Sequence, residues 1–534
     1  MPPVLRLPTL GREAALSACA AAAVGAVLVW AGPPGTDFAA HAYQRTLFLE
    51  HGLRLWNNFW YAGRYGFVTY SILYYPIAGL LGMRLLAVAA VATAACAFAL
   101  VVGREWGPVA RWSSRTFAVV WAGIVLSAAF PFALGFALAL LALLSLQSGA
   151  RWRFAGLAAA TVAASPLAFA LLVLVLAGVG VTRRVAPVPL VVVAALVAAE
   201  LVVWRLFPGG RYPFPVAELA AACTFCVLGI VLTRGVAHAR VLQATFVAAL
   251  VACVASFAVP SALGENIARF RFAAIPLSVL VMSLRAWRPR FAAVVVLALA
   301  TSWNLTPLAW DYVKGASDPS RSAAFWAPAV RYLTTHLAPS YRVEAVDTAG
   351  HWASVYLPGA GIPLTRGWYP QDDFPQNELL YREFGRQPYL RWLRKLAVRY
   401  VVVPRAPVDA TAREEAELIS TGRSGLRRIF VSPTVSIYAV PRPRPLVTGH
   451  GHAAVIRMTQ TRLELAFSRA GWYRVAVRYS PYWRALHGCT ALSADGMTKV
   501  WVPRAGVEEL SFDLQPGRAL SVLFGTAATD SCST

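Results

Sequence analysis

A chain of 534 residues that is 58% hydrophobic and only 14% charged is too apolar for an ordinary soluble globular protein, in which about 25% of residues are charged. Apolar runs of about 20 residues, the length that crosses a bilayer, recur up to position 310, so the chain reads as a polytopic membrane protein. The formal charge of +24 does not imply nucleic-acid binding. The arginines bunch in short connections between apolar runs: Arg104, Arg111 and Arg115, then Arg151 and Arg153, Arg183 and Arg184, and Arg285, Arg288 and Arg290. The positive-inside bias of membrane topology places basic residues in that way. Cations that are nearly all arginine, in an alanine-rich chain, point to a high-GC bacterial genome and to a bacterial plasma membrane.

In chain order, the expected spans number about 11. The first covers 14–31, with the N-terminus cytoplasmic, and a polar outer loop, 32–76, follows. A single long span, 77–101, keeps the Arg104–Arg115 connection inside. Spans at 116–130 and 133–147 meet at a tight Phe130-Pro131 corner. The stretch 154–181 is interrupted at Ser165-Pro166, because proline lacks an N–H and disfavours helix at the residue before it. It reads as a broken hairpin of two short helices. Spans at 187–206, 215–233, 240–258, 270–286 and 291–310 complete the set. The odd count sends everything after Trp310 to the extracytoplasmic face.

The expected fold class is therefore an α-helical polytopic membrane domain (1–310), an extracytoplasmic α/β domain (311–445) and a C-terminal β-sandwich (446–534). Strand-like runs occur at YRVEAVD, VRYVVVP and SIYAV, with a helix near 377–397. After the proline-rich joint PRPRPLV, TRLELAFSRAGWYRVAVRYSPYW and EELSFDL alternate as sandwich strands do. Cys489 and Cys532 stand apart from the cysteines of the apolar spans, and an extracytoplasmic location permits a disulfide between them. Cys223-Thr-Phe-Cys226 mimics a redox motif, but inside a hydrophobic helix it reads as packing.

Three clusters carry chemistry. A loop that merely turns the chain between spans needs a few residues. The loop 32–76 is far longer and sets Asp37, His41 and Arg64 among aromatic residues including Trp56 and Tyr74. The bland reading is a solvated acid beside an interfacial aromatic belt. The second cluster, PSALGENIARFRF, puts Asn266, Arg269 and Arg271 at an outer span end, where an arginine fork and a helix N-terminus suit a lipid phosphate. Arginines snorkelling to headgroups are the alternative. The third crowds Trp352, Arg366, Trp368, Asp372 and Asp373 together after His351, a composition suited to sugar hydroxyls, to a divalent cation or to a plain loop network. No P-loop, dinucleotide fingerprint or G-x-S-x-G element is present.

A first span, an outer loop with an early aspartate, and WNNFWYAGRYGFVTYSILYYP together resemble the GT-C superfamily of membrane glycosyltransferases. SPLAF, GENIARFRF, HWASVYLP, LTRGWYPQDD, VRYVVVP and SPYW are similar to segments of bacterial membrane proteins described as 6-pyruvoyl-tetrahydropterin-synthase-related. The resemblance implies a glycosyltransferase of cell-envelope assembly that takes a polyprenyl-phosphate sugar and an envelope glycan or lipid acceptor. Asp37 would be its catalytic residue, with His41 second. Arg64, Arg269, Arg271 and Asn266 would hold the donor phosphate. Trp56, Tyr74, Trp352, Arg366, Trp368, Asp372 and Asp373 would hold the acceptor or sugar. Some members need a divalent cation, Mg2+ or Mn2+. Asp37 is followed by Phe38 where GT-C loops often carry paired acids, so a non-catalytic envelope scaffold is the second expectation. A transporter is the third, but Glu200 is the sole ionisable group of the kind transporters place within spans.

Overall fold

The computed structural model describes residues 7–236, 238–525 and Cys532. Two compact units emerge, and neither is one continuous segment. The first contains residues up to Phe38, then Tyr70–Leu201 and Arg211–Ala316; the second contains Ala39–Thr69, Val202–Gly210 and the chain from Ser317 onward.

The first unit is helical. Helix α1 (Leu7–Ala31) is followed by α2 (Phe38–His51), which belongs to the second unit from Ala39. Helices α3 (Tyr74–Leu81) and α4 (Met83–Trp106) are divided at Gly82, so the expected long span is a short helix followed by a complete one. A 3-10 turn leads to α5 (Arg111–Ala122), and α6 (Phe130–Gln147) starts with Pro131 in its first turn, where a missing N–H costs nothing. Then come α7 (Arg151–Ala164), α8 (Pro166–Thr182), α9 (Pro187–Leu206), α10 (Val216–Thr233), α11 (Arg240–Ala258), α12 (Ala274–Leu284) and α13 (Arg290–Ser317). Among the described residues, eight stretches are long and apolar enough to cross a membrane, and one of them, Met83–Leu126, contains both α4 and α5.

The break at Ser165-Pro166 forms as its sequence dictates. Ser165 caps α8, its hydroxyl accepting from the Ala168 amide at 3.3 Å. The Ala163 carbonyl, left over at the break, accepts from the Ile72 and Leu73 amides, each at 2.9 Å. At the far ends, Arg104 donates to the Ser148 hydroxyl at 2.7 Å and Arg183 pairs with Glu105. The end of α8 thus returns to the end where α4 and α6 finish and α7 begins. The pair α7–α8 is a hairpin.

The second unit carries the sheets. A small ribbon of β1 (Trp56–Asn57) and β2 (Arg64–Tyr65) follows α2. Helix α14 (Ala323–His336) leads into β3 (Arg342–Ala345), α15 (Ala353–Gly359), α16 (Arg386–Lys395), β4 (Val398–Pro404), α17 (Arg413–Ser420), β5 (Arg427–Val431) and β6 (Val435–Ala439). These strands form one mixed sheet in the order β3-β4-β6-β5, parallel only between β3 and β4. The expected helix near 377–397 is confined to α16, with a separate 3-10 turn over Glu378–Tyr381.

Beyond it lie β7 (Val447–Gly449), β8 (Ala453–Met458), β9 (Arg462–Phe467), β10 (Gly471–Arg478), β11 (Trp483–Ala485), β12 (Cys489–Leu492), β13 (Met497–Val502) and β14 (Gly506–Phe512), then helix α18 (Pro516–Leu523). They make two antiparallel sheets, β12-β13-β10-β7 and β11-β14-β9-β8. The sheets share one hydrophobic cluster, to which Leu463 and Leu465 contribute from one and Tyr473, Val475 and Val500 from the other. Period-two alternation, buried at Leu463, Leu465 and Phe467, is what makes such a face. Cys489 and Cys532 are disulfide-bonded.

Candidate functional site

In the helical unit the site is built on the turn that follows α1. The Asp37 amide donates to the Ser127 carbonyl at 3.0 Å, and the Phe38 amide donates to Gly35 at 3.0 Å. Gly35 is forced by closeness: a Cβ there would lie 2.5 Å from the Ala128 nitrogen and 2.6 Å from the Leu126 oxygen. The turn is clamped to the α5–α6 corner, and Asp37 is left half-buried.

Around that carboxylate the fold collects residues distant in sequence. The Thr36 hydroxyl hydrogen-bonds Asp311, near the end of α13, and Asp311 feels the repulsion of Asp37 and the attraction of Lys314 and Arg271. Tyr70 is held above the ordinary tyrosine value by burial and then by the charge of Asp37; Arg269, which donates a hydrogen bond to the phenol oxygen, opposes the rise. Tyr212 is pushed up to about 12, first by burial, then by Glu265, with a smaller contribution from Asp37. Asp37, Asp311, Tyr70, Tyr212 and Arg269 are therefore one electrostatic group.

Arg269 is presented by Gly264–Ala273, ten residues of 3-10 helix, an uncommonly long run for that geometry. Gly264 starts it at φ +43°, and a Cβ there would lie 2.1 Å from the Tyr212 carbonyl oxygen. The half-buried Arg269 guanidinium sits 5.6 Å from the Phe132 ring centroid. It is also the charged member of the lining of an apolar cavity of about 180 Å³, walled by Phe98, Trp121, Phe136, Leu172, Phe246 and Leu280. Ala168, on the first turn of α8, lines the same cavity. A cation at the wall of an oily cavity, with a carboxylate in electrostatic range of the same phenols, suits a phosphorylated amphiphile.

The other two members of the second cluster differ from Arg269. Arg271 is ion-paired with Glu265 at 3.1 Å and Glu218 at 3.4 Å, so its charge is already balanced. Asn266 is half-buried in the 3-10 run, its amide bonded to the Leu263 carbonyl. Tyr74 is 1% exposed at the start of α3, its amide accepted by the Ser71 hydroxyl, and has no open face for a sugar.

Several residues expected at a binding surface lie in the interior of the second unit. Trp56 is fully buried, stacked on Phe512 at 5.1 Å and edge-on to Trp483 at 5.5 Å, inside the core that the two antiparallel sheets share. Arg64 is 1% exposed; it pairs with Asp372 at 2.7 Å and sits 4.5 Å above the Tyr369 ring, so it is not a free phosphate ligand. Arg366 grips Asp373 with two bonds, 3.2 and 2.9 Å, and Asp373 also accepts from Asn377 at 2.9 Å and Tyr381 at 2.7 Å. Trp352 is buried against Tyr356, and Trp368 stacks on His351, which pairs with Asp347 at 2.7 Å. His41 is fully buried in α2. Desolvation explains the pattern: buried ions require close partners, so the acids and arginines neutralise one another instead of facing a ligand.

Sequence reasoning did not single out Asp311, Tyr70 or Tyr212 as site residues. Asp311 is the first carboxylate after the last apolar run, the mirror of Asp37 after the first, and that symmetry was the available signal. No protein-family model matches the sequence, and no curated protein matches it.

Proposed function

We propose that the protein is a GT-C-type glycosyltransferase that moves a sugar from a polyprenyl-phosphate donor to an envelope glycan or lipid acceptor on the extracytoplasmic face. The observation that carries this reading is Arg269, bonded to Tyr70 beside the charge of Asp37 and lining an apolar cavity. In this reading the donor phosphate sits on Arg269 and its hydrocarbon enters the cavity. Asp37 takes the proton from the acceptor hydroxyl, whose oxygen attacks the anomeric carbon. The bond from that carbon to the phosphate oxygen breaks, and its electron pair leaves with the lipid phosphate, whose charge Arg269 stabilises.

A divalent ion is part of the reading only as far as its ligands go. Among the described residues no three His, Cys, Asp or Glu side chains assemble for a metal, but Mg2+ commonly takes one or two carboxylates plus substrate phosphates. Asp37 and Asp311 would hold it, and it would offset phosphate charge. The eleven-span topology counts α4 and α5 separately and adds α7 and α8. It places the second unit, with its two antiparallel sheets as a β-sandwich, outside the plasma membrane.

The test is a full-length purified-protein assay against a panel of polyprenyl-phosphate sugars, with and without Mg2+ or Mn2+. Asp37→Asn is expected to lower transfer by about 10²–10⁴-fold and Arg269→Gln by about 10²–10³-fold, both with unchanged folding. Full transfer by Asp37→Asn would overturn the assignment. The second reading, a scaffold that binds such lipids without turnover, is favoured by the burial of so many aromatic and acidic candidates in the second unit. It predicts donor binding, no product, and a silent Asp37→Asn.

A further inference from the structure

The helical unit carries another cavity, whose lining includes none of the residues grouped around Asp37. A cleft with a volume of about 890 Å³ is lined by helices α8 and α9 and the short turn between them. Its walls are apolar, with Val173, Leu176 and Ala177 on one side and Leu190 and Val193 on the other. Helix α9 packs on the bundle through Val192, Val193 and Leu196 and is otherwise open: Leu190 is 54% exposed and Val191 66%, and only 6% of the α9 window is buried. In a bilayer such a cleft is filled with hydrocarbon, because water in contact with these walls is unfavourable.

The turn that lines the cleft is charged. Arg183 and Arg184 both line it. Arg183 is neutralised by Glu105, with which it makes a two-bond pair. Arg184 is exposed and makes no hydrogen bond or ion pair among the described residues. The backbone offers little help there, because Pro187 and Pro189 remove two N–H donors from the first turn of α9. One unbalanced arginine fork therefore stands on the turn that lines an apolar slot, and a phosphate is the anion its geometry fits best.

We propose that this cleft holds one bilayer phospholipid with a single net negative charge, its phosphate on Arg184 and its acyl chains between α8 and α9. The charge complement chooses the lipid: with Arg183 and Glu105 cancelling, one positive charge remains.

The experiment is native mass spectrometry of the full-length protein from neutral detergent, after exchange with vesicles of phosphatidylcholine containing an equal share of phosphatidylglycerol. Wild type is expected to retain phosphatidylglycerol about fivefold over phosphatidylcholine, the preference one arginine near a membrane surface confers. Arg184→Gln, at an exposed position, is expected to abolish the preference, and Arg184→Lys to keep part of it. Ala177→Trp, which fills the slot, is expected to lower retention of both lipids. Equal retention by wild type, a preference that survives Arg184→Gln, or full retention by Ala177→Trp would each overturn the site. Sugar transfer is not read in this test, so its outcome is independent of the proposed enzyme activity.

Discussion

The second unit holds two carboxylates that its interior does not neutralise. Glu344 lies in the middle of β3, fully buried, and neither of its carboxyl oxygens has a hydrogen-bond partner. Glu415, fully buried on α17, has one oxygen bonded to the Tyr389 hydroxyl at 2.7 Å and the other unpartnered. Burial raises both, and the charge of Glu415 raises Glu344 further. Glu415 is pushed up from 4.5 to about 7 by burial, against the Tyr389 bond and the Arg366 charge, while Asp347 adds to the rise. A carboxyl raised on folding keeps its proton in the native state while the unfolded chain has already lost it, so stability is full below pH 4.5 and drains away as pH rises to about 7. At 1.36 kcal/mol per unit the loss is about 3 kcal/mol. For a domain of this size that is roughly 6–12 °C in Tm. Thermal unfolding of the full-length protein in detergent, followed by tryptophan fluorescence, is expected to give a lower Tm at pH 8 than at pH 5. Glu415→Gln keeps an acceptor for Tyr389 and removes the charge, so it should raise the pH 8 value and flatten the slope. A variant as pH-sensitive as wild type, or a wild type that gains stability from pH 5 to 8, would refute the reasoning.

Other consequences are as direct. Trp56→Ala should destabilise the second unit by about 3–5 kcal/mol, the usual loss for a buried large aromatic, and a wild-type unfolding midpoint would contradict its place in the core. Breaking the buried Arg64–Asp372 pair by Asp372→Asn should cost about 3–5 kcal/mol. In a double-mutant cycle, Arg64→Met should cost far less when Asp372 is already gone, whereas additive losses would show that the two are uncoupled. Gly35→Ala, whose Cβ would meet Leu126 and Ala128, should impair sugar transfer nearly as much as Asp37→Asn while leaving the unfolding midpoint of the second unit unchanged. Retained transfer would mean that the turn is not what positions Asp37.

What the sequence makes legible here is local. The apolar runs become helices, VRYVVVP becomes β4, and SIYAV overlaps all of β6 but its first residue. Ser165-Pro166 ends one helix and caps the next. Each of these follows from side-chain periodicity or from the chemistry of one or two neighbouring residues. The disulfide was legible because two cysteines stood outside the apolar segments. The destinations of the loop residues were not. Trp56 and Arg64 have the composition of a binding surface, yet their partners Trp483, Phe512 and Asp372 lie hundreds of positions away, and Asn58 donates to the Thr459 carbonyl at a separation of 401 residues. An aromatic, charged segment reads the same whether it faces a ligand or a polar interior. Asp311 escaped notice for the same reason, since its relation to Asp37 exists only once α13 packs beside the turn after α1.

The way the second unit is interlaced through the chain bears on how it can be made. Trp56, Trp60 and Arg64 leave the ribosome long before strand β14, which brings Phe512 to Trp56. Until the later strands emerge, Trp56 lacks the interior it packs in, and exposed aromatic surface of that kind is prone to aggregate. Completion of this unit accordingly waits for β14, and its dependence on holding factors should exceed that of a domain encoded in one piece. The same interlacing makes the unit non-portable: a fragment beginning at Ser317 lacks Trp56 for its core and the guanidinium that neutralises Asp372, so genetic exchange can move this architecture only as a whole.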